Sequence, residues 1–276
     1  MASALDRDWS LARMLTPEVL PPLLTGPRGT VGGIALQSLL NYAFWAGLAW
    51  LLGYVLFRRR WAARKIIPAY PAGADVRREL GWSLLTVVVY GTVGAGTLWL
   101  AKQGWTRLYW KLDAHGPLWF WTTVAAAILL HDTYFYWTHR LMHHPRLFRW
   151  FHRVHHESVN PSPWAAYCFS PLEAAVQAGI FPLVACLLPI HPLAFAAFMV
   201  WQIVFNVLGH AGYEFYPPWL LDGWLGRFLN TPTNHIQHHE SFRGNYSLYF
   251  NYWDRWMGTN HPGYEARFRE VTTRPR

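Results

Sequence analysis

Cysteine and charge are both scarce in this 276-residue chain. Cys168 and Cys186 are the only cysteines, and both lie in apolar stretches. That excludes a disulfide framework and cysteine-based zinc fingers. Asp, Glu, Lys and Arg make up only 14% of the residues, against about 25% in an ordinary soluble domain. No repeat, low-complexity tract or Gly/Ser-rich linker divides the chain, and the 19 prolines are scattered over turns and helix ends. No flavin, nicotinamide or iron–sulfur motif is present. Gly91, Gly94 and Gly96 sit in an apolar run without nucleotide-binding spacing and read as helix packing.

What is present points to lipid. Hydrophobic residues reach 53% and aromatics 17%, with 18 tryptophans and 14 histidines. The formal charge is +9, but the basic residues come in short clusters and form no stripe along one helix. This fits membrane-surface charge and argues against a nucleic-acid partner. Uncharged runs cover residues 35–57, 81–101, 117–130, 174–190 and 192–209. The first has 23 residues, enough to span a bilayer. The last two are joined at Leu188-Pro189-Ile190-His191-Pro192, which reads as the tip of a helical hairpin, and Pro182 is expected to kink its first leg. The first 34 residues hold Asp6, Asp8 and Pro21-Pro22 and no positive leading region, so a signal peptide is not expected.

Loop charge sets the expected orientation. Three Lys/Arg (Arg7, Arg13, Arg28) precede the first run, seven lie between 58 and 80, and three between 102 and 116. The middle loop is then cytoplasmic, and everything after about His139 lies on that same face. The expected fold is all-α: an integral membrane helical bundle with a cytoplasmic, histidine-rich di-metal cap. The expected organisation is an N-terminal arm (1–34), transmembrane helices (35–124), a catalytic domain (125–260) and a C-terminal tail (261–276).

Three histidine boxes carry the chemistry. His139 and His143 are four apart and share a helix face. His152, His155 and His156 stand at i, i+3 and i+4, as do His235, His238 and His239, and each set is expected to converge on one side. With His210 this makes nine imidazoles, too many for one ion, so two metals are expected. Spacing alone leaves iron, zinc and copper open. Asp132 precedes His139 by seven residues, about 20° short of two helical turns. It is expected to hydrogen-bond a ligating imidazole from behind.

These motifs resemble those of the fatty acid hydroxylase/sterol desaturase superfamily of membrane di-iron oxygenases, and their order is most similar to the sterol C5-desaturase branch. The resemblance covers roughly residues 125–260. It rests on Asp132, Tyr136-Trp137, His139-Arg140, His143, the two H-x-x-H-H boxes, Pro171-Leu172-Glu173, His210, Asn245-Tyr246, Trp253-Asp254 and Gly258-Thr259. Ser170 stands where many members have histidine, and Ser247 where many have glycine. The resemblance implies two iron ions (with zinc possible in purified protein) and O2 as co-substrate. It implies desaturation or hydroxylation of an unactivated C–H of a membrane lipid, with the nine histidines as ligands and Asp132 and Tyr136 in support. Electrons must then come from a separate donor protein, and Arg146, Arg149 and Arg153 are candidates for its docking surface. A membrane zinc hydrolase built on the same cluster is the competing reading, with Glu157 or Glu240 as general base.

Overall fold

The computed structural model describes residues 26–275. Arg7, Arg13 and Pro21-Pro22 of the N-terminal arm lie outside the described residues. Helix α1, Val31–Trp50, starts where Thr30 Oγ1 accepts from Gly33 N at 3.1 Å, and it runs on as a π-helical stretch, Leu51–Leu56. Helix α2, Gly73–Lys102, packs back along it. The two approach closely at glycines. A Cβ on Gly91 would lie 2.6 Å from Val31 O, and one on Gly94 would lie 2.9 Å from Ile34 Cγ2, whereas Gly96 faces open space.

Helix α3, Gly116–Met142, is 27 residues long, about 40 Å at 1.5 Å per residue. The uncharged run 117–130 is its first half, its second half carries Asp132 and His139, and His143 caps its C-terminal end. Two short helices follow, α4 (Pro145–Phe151) and α5 (Arg153–His156). The expected first leg of the hairpin is broken into α6, Pro171–Ala178, and α7, Ile180–Leu187. The break at Gly179 falls one turn before Pro182, which has no N–H for the Ala178 carbonyl. Helix α8, Pro192–His210, returns from the hairpin tip, where His191 Nδ1 accepts from Leu193 N at 3.1 Å. Beyond it lie α9 (Pro232–Ser241), α10 (Tyr252–Trp256) and α11 (Tyr264–Thr273). Among the described residues there is no strand, only two isolated bridges.

Three helical stretches are long and apolar enough to cross a membrane: Val31–Leu56, Gly73–Lys102 and Pro192–His210. The five uncharged runs therefore fall on three helices of crossing length, one half-helix and one broken leg. Their outward faces remain apolar, as at Leu40, Phe44, Leu84 and Val88. Inward, Tyr42 of α1 stacks on Tyr167 at 4.8 Å and donates to Trp164 O at 2.7 Å. That anchors the segment lying between the second histidine box and α6.

Candidate metal centre

Helix α3 presents His139 and His143, the α4–α5 junction presents His152, His155 and His156, α8 ends at His210, and α9 presents His235, His238 and His239. The fold brings all nine together as two adjacent groups. His139, His143, His152, His156 and His238 form the first, and His155, His210, His235 and His239 form the second. Within each group the ligand atoms lie within 4.8 Å of one another.

Each H-x-x-H-H box was expected to converge on one side, and the structure instead divides each box. Residues at i and i+4 differ by about 40° around a helix, so His152/His156 and His235/His239 stay together. Residues at i+3 and i+4 differ by about 100°. His155 therefore turns to the second group and His238 to the first. The rings of His156 and His239, from different groups, lie 4.9 Å apart centre to centre.

The outer ring nitrogens show why the inner ones are free to bind metal. His139 Nδ1 lies 2.7 Å from Tyr246 O, and His238 Nδ1 lies 2.7 Å from Gly244 O. His210 Nδ1 lies 2.7 Å from Asn206 O, and His155 Nδ1 lies 3.3 Å from Cys168 O. A carbonyl only accepts, so each Nδ1 carries the proton and each neutral Nε2 presents a lone pair. Burial, together with the neighbouring imidazoles, pushes His152, His155, His156, His235, His238 and His239 well below the ordinary histidine range. Neutral imidazole is the form that ligates.

The inner nitrogens nevertheless crowd together. Nε2–Nε2 separations are 2.9 Å for His139–His152, 3.1 Å for His143–His156 and 3.0 Å for His156–His238. In the second group they are 3.2 Å for His155–His210, 2.9 Å for His210–His235 and 3.2 Å for His235–His239. Between rings whose proton sits on Nδ1, such a contact sets lone pair against lone pair and is no hydrogen bond. Two nitrogens bound to one ion at about 2.1 Å lie about 3.0 Å apart at a right angle, and about 3.4 Å apart in a tetrahedron. The residues therefore fit a metal ion in each group.

The carboxylate behind a cluster imidazole is Glu173. The fully buried Glu173 Oε1 accepts from His152 Nδ1 at 2.7 Å. Its position is set by Ser170, which caps α6 by accepting from Glu173 N at 3.2 Å and donates to Phe151 O at 2.6 Å. One signal in the sequence pointed to it: Glu173 is the only acid between Glu157 and Glu214. Asp132, expected in this role, touches no cluster imidazole. Its Oδ1 accepts from Tyr249 N at 2.8 Å and Phe250 N at 3.2 Å. Asp132 is fully buried on α3, and the chain after α9 takes its oxygen. Tyr136 is likewise one layer out, its hydroxyl 2.9 Å from Thr259 Oγ1 and 3.1 Å from Arg140 Nη1. Tyr246 stands between it and the first group, with its ring centre 5.1 Å from that of His143.

A cavity of about 180 Å³ adjoins the second group. Its apolar walls include Phe205, Leu208, Phe215 and Leu248, and His235 lines it.

Residues 124–259 match the fatty acid hydroxylase family. Among curated proteins the chain is similar to a delta(7)-sterol 5(6)-desaturase of Gibberella zeae, 31% identical over 57% of this chain and 47% of the relative. It is similar to human lathosterol oxidase, 25% identical over 67% of this chain and 61% of the relative. A very-long-chain aldehyde decarbonylase of Oryza sativa subsp. indica is 32% identical over 53% of this chain and 25% of the relative. The matched stretch thus spans less than two thirds of the length of each of these three relatives. No solved structure matches the chain. Family match, histidine groups and apolar helices agree: residues 124–259 belong to the fatty acid hydroxylase family, and the chain's curated relatives support the sterol desaturase branch.

Proposed function

We propose that this chain is an O2-dependent oxidoreductase that binds one iron ion in each histidine group and desaturates or hydroxylates an unactivated C–H of a membrane lipid. The observation that carries the reading is the convergence of nine Nε2 atoms in two adjacent groups, with the tautomer fixed from outside at five rings. Iron bound there supplies the one-electron chemistry that activates O2. The protein holds the rings still, keeps them neutral and buries them. The 180 Å³ cavity beside His235 is the place for the reacting segment of the substrate. A benzene-sized ligand occupies a cavity of about 150 Å³, so a narrow stretch of hydrocarbon fits.

The zinc hydrolase alternative needs a free carboxylate next to a cluster. Glu157 is 3.3 Å from Arg153 and 3.9 Å from Arg78, and Glu240 is 3.5 Å from Arg267, so both candidates are engaged with arginine. A separate protein donates the electrons. Arg146, Arg149 and Arg153, around the second box, offer an acidic donor a basic surface.

Metal analysis of anaerobically purified protein, joined to oxygen uptake and lipid profiling of cells with and without the gene, tests this reading. Two irons per chain, oxygen uptake and one altered lipid are expected. Zinc alone with no oxygen uptake would refute it. Leu208→Trp, which fills the cavity from α8, is expected to raise the KM for lipid about tenfold or more while leaving both metals bound. Unchanged KM would place the substrate elsewhere. The histidine groups are proposed to face the cytoplasm. Reporters fused after residue 70 and after residue 160 are then expected to read out on the same side, and opposite readouts would reverse that assignment.

A further inference from the structure

Two of the five cluster imidazoles with a fixed tautomer owe it to a single short segment, residues 244–250. Gly244 O receives His238 Nδ1–H, and Tyr246 O receives His139 Nδ1–H, each at 2.7 Å. Both acceptors belong to the first group's side of the site. Each carbonyl is also held from the opposite edge of its own peptide plane. The N–H that shares a plane with the Tyr246 carbonyl is that of Ser247, and it donates to Asp254 Oδ2 at 2.8 Å. The N–H that shares a plane with the Gly244 carbonyl is that of Asn245, and it donates to Thr259 O at 2.8 Å. Because a peptide unit is planar and stiff, fixing its N–H fixes the direction of its C=O.

Asp254 joins these two holds. Besides Ser247 N it accepts from Tyr246 N at 2.9 Å and from Thr259 Oγ1 at 2.6 Å. The side chains of Asp254, Asn245 and Ser247 are fully buried. Asn245 takes a left-handed φ of 53°, and its side chain ties the turn down, donating to Asn234 O at 3.0 Å and accepting from His261 N at 2.7 Å. Gly244 has φ 72°, and a Cβ there would lie 2.5 Å from Thr259 O, so the turn presses directly on the Thr259 backbone. The second group has no comparable strap. His210 uses Asn206 O of its own helix, and His155 uses Cys168 O.

We infer that Asp254 is a positioning residue for the first histidine group alone, aiming the Gly244 and Tyr246 carbonyls that orient His238 and His139. It touches no imidazole itself and acts through two peptide planes. Carboxylate acceptors of backbone N–H groups make the stronger class of hydrogen bond, so the strap is stiffer than a neutral turn. This inference rests on the proposal that each group binds a metal.

The test is a cobalt(II) titration of the detergent-solubilised full-length protein freed of metal, read by metal content and by the visible ligand-field spectrum. Asp254→Asn keeps the size but sets an NH2 against one of the two backbone N–H groups. Thr259→Val keeps the shape and the backbone carbonyl, and removes the hydroxyl that reaches Asp254 and Tyr136. In both variants one cobalt is expected to bind about 10- to 100-fold more weakly with an altered spectrum, while the other keeps wild-type affinity and spectrum. A merely structural role would weaken both sites together, and that result would overturn the inference, as would two unchanged sites. Should Asp254→Asn fail to fold, Thr259→Val decides alone. Fewer than two cobalt ions in the wild-type protein would instead sink the two-metal reading.

Discussion

Replacing His155 together with His239 by alanine is expected to cost the protein one metal, whereas replacing His238 together with His239 is expected to cost it both. The first pair comes from different boxes but one spatial group, and the second pair comes from one box but two groups. Each single substitution removes an Nε2 donor directly. Its effect on metal affinity is expected to exceed the about 10- to 100-fold typical of partners one layer further out. Metal content of anaerobically purified variants decides the matter. If loss follows the boxes, with the adjacent pair losing one ion and the mixed pair losing two, the grouping seen in the fold does not describe the loaded protein.

Glu173→Gln carries the second large effect. Glutamine keeps the length and an acceptor for His152 Nδ1–H but removes the charge that makes the imidazole a better ligand. Metal affinity of the first group and turnover are both expected to fall about 10- to 100-fold. Glu173→Ala is expected to be worse for stability, since it leaves a buried N–H without a partner at a cost of about 1–3 kcal/mol. Metal titration and steady-state kinetics on Glu173→Gln provide the check, and wild-type values for both would remove Glu173 from the site. Asp132→Asn makes a useful contrast. Its partners are Tyr249 N and Phe250 N, so it is expected to loosen the far end of the 244–250 segment and to leave His152 undisturbed.

Much of this protein was legible in the chain itself. Scarce charge and long uncharged runs specify helices in lipid, because only a segment that satisfies its own backbone hydrogen bonds is stable there. The i, i+3 and i+4 spacing of the histidines specifies helical boxes, because those offsets lie near one another on a helix. Glycines at 91 and 94 announced a close helix crossing, since only a missing Cβ admits the Val31 carbonyl beside Gly91 and the Ile34 side chain beside Gly94.

Tertiary structure decided the rest. Which histidine serves which group depends on how α5 and α9 are rotated against α3 and α8, and neighbours 100° apart on a helix can point to one centre or to two. The partner of Asp132 was set by a segment more than a hundred residues further on, and no local pattern encodes that meeting. Glu173 reached His152 for the same reason: the cap at Ser170 and the break at Gly179 are local features, but the meeting of α6 with His152 depends on how α6 packs against the second histidine box. Spacing along a helix is a local property that a sequence states directly. The pairing of a buried carboxylate with one imidazole among nine is a long-range choice, made only when the helices close on each other.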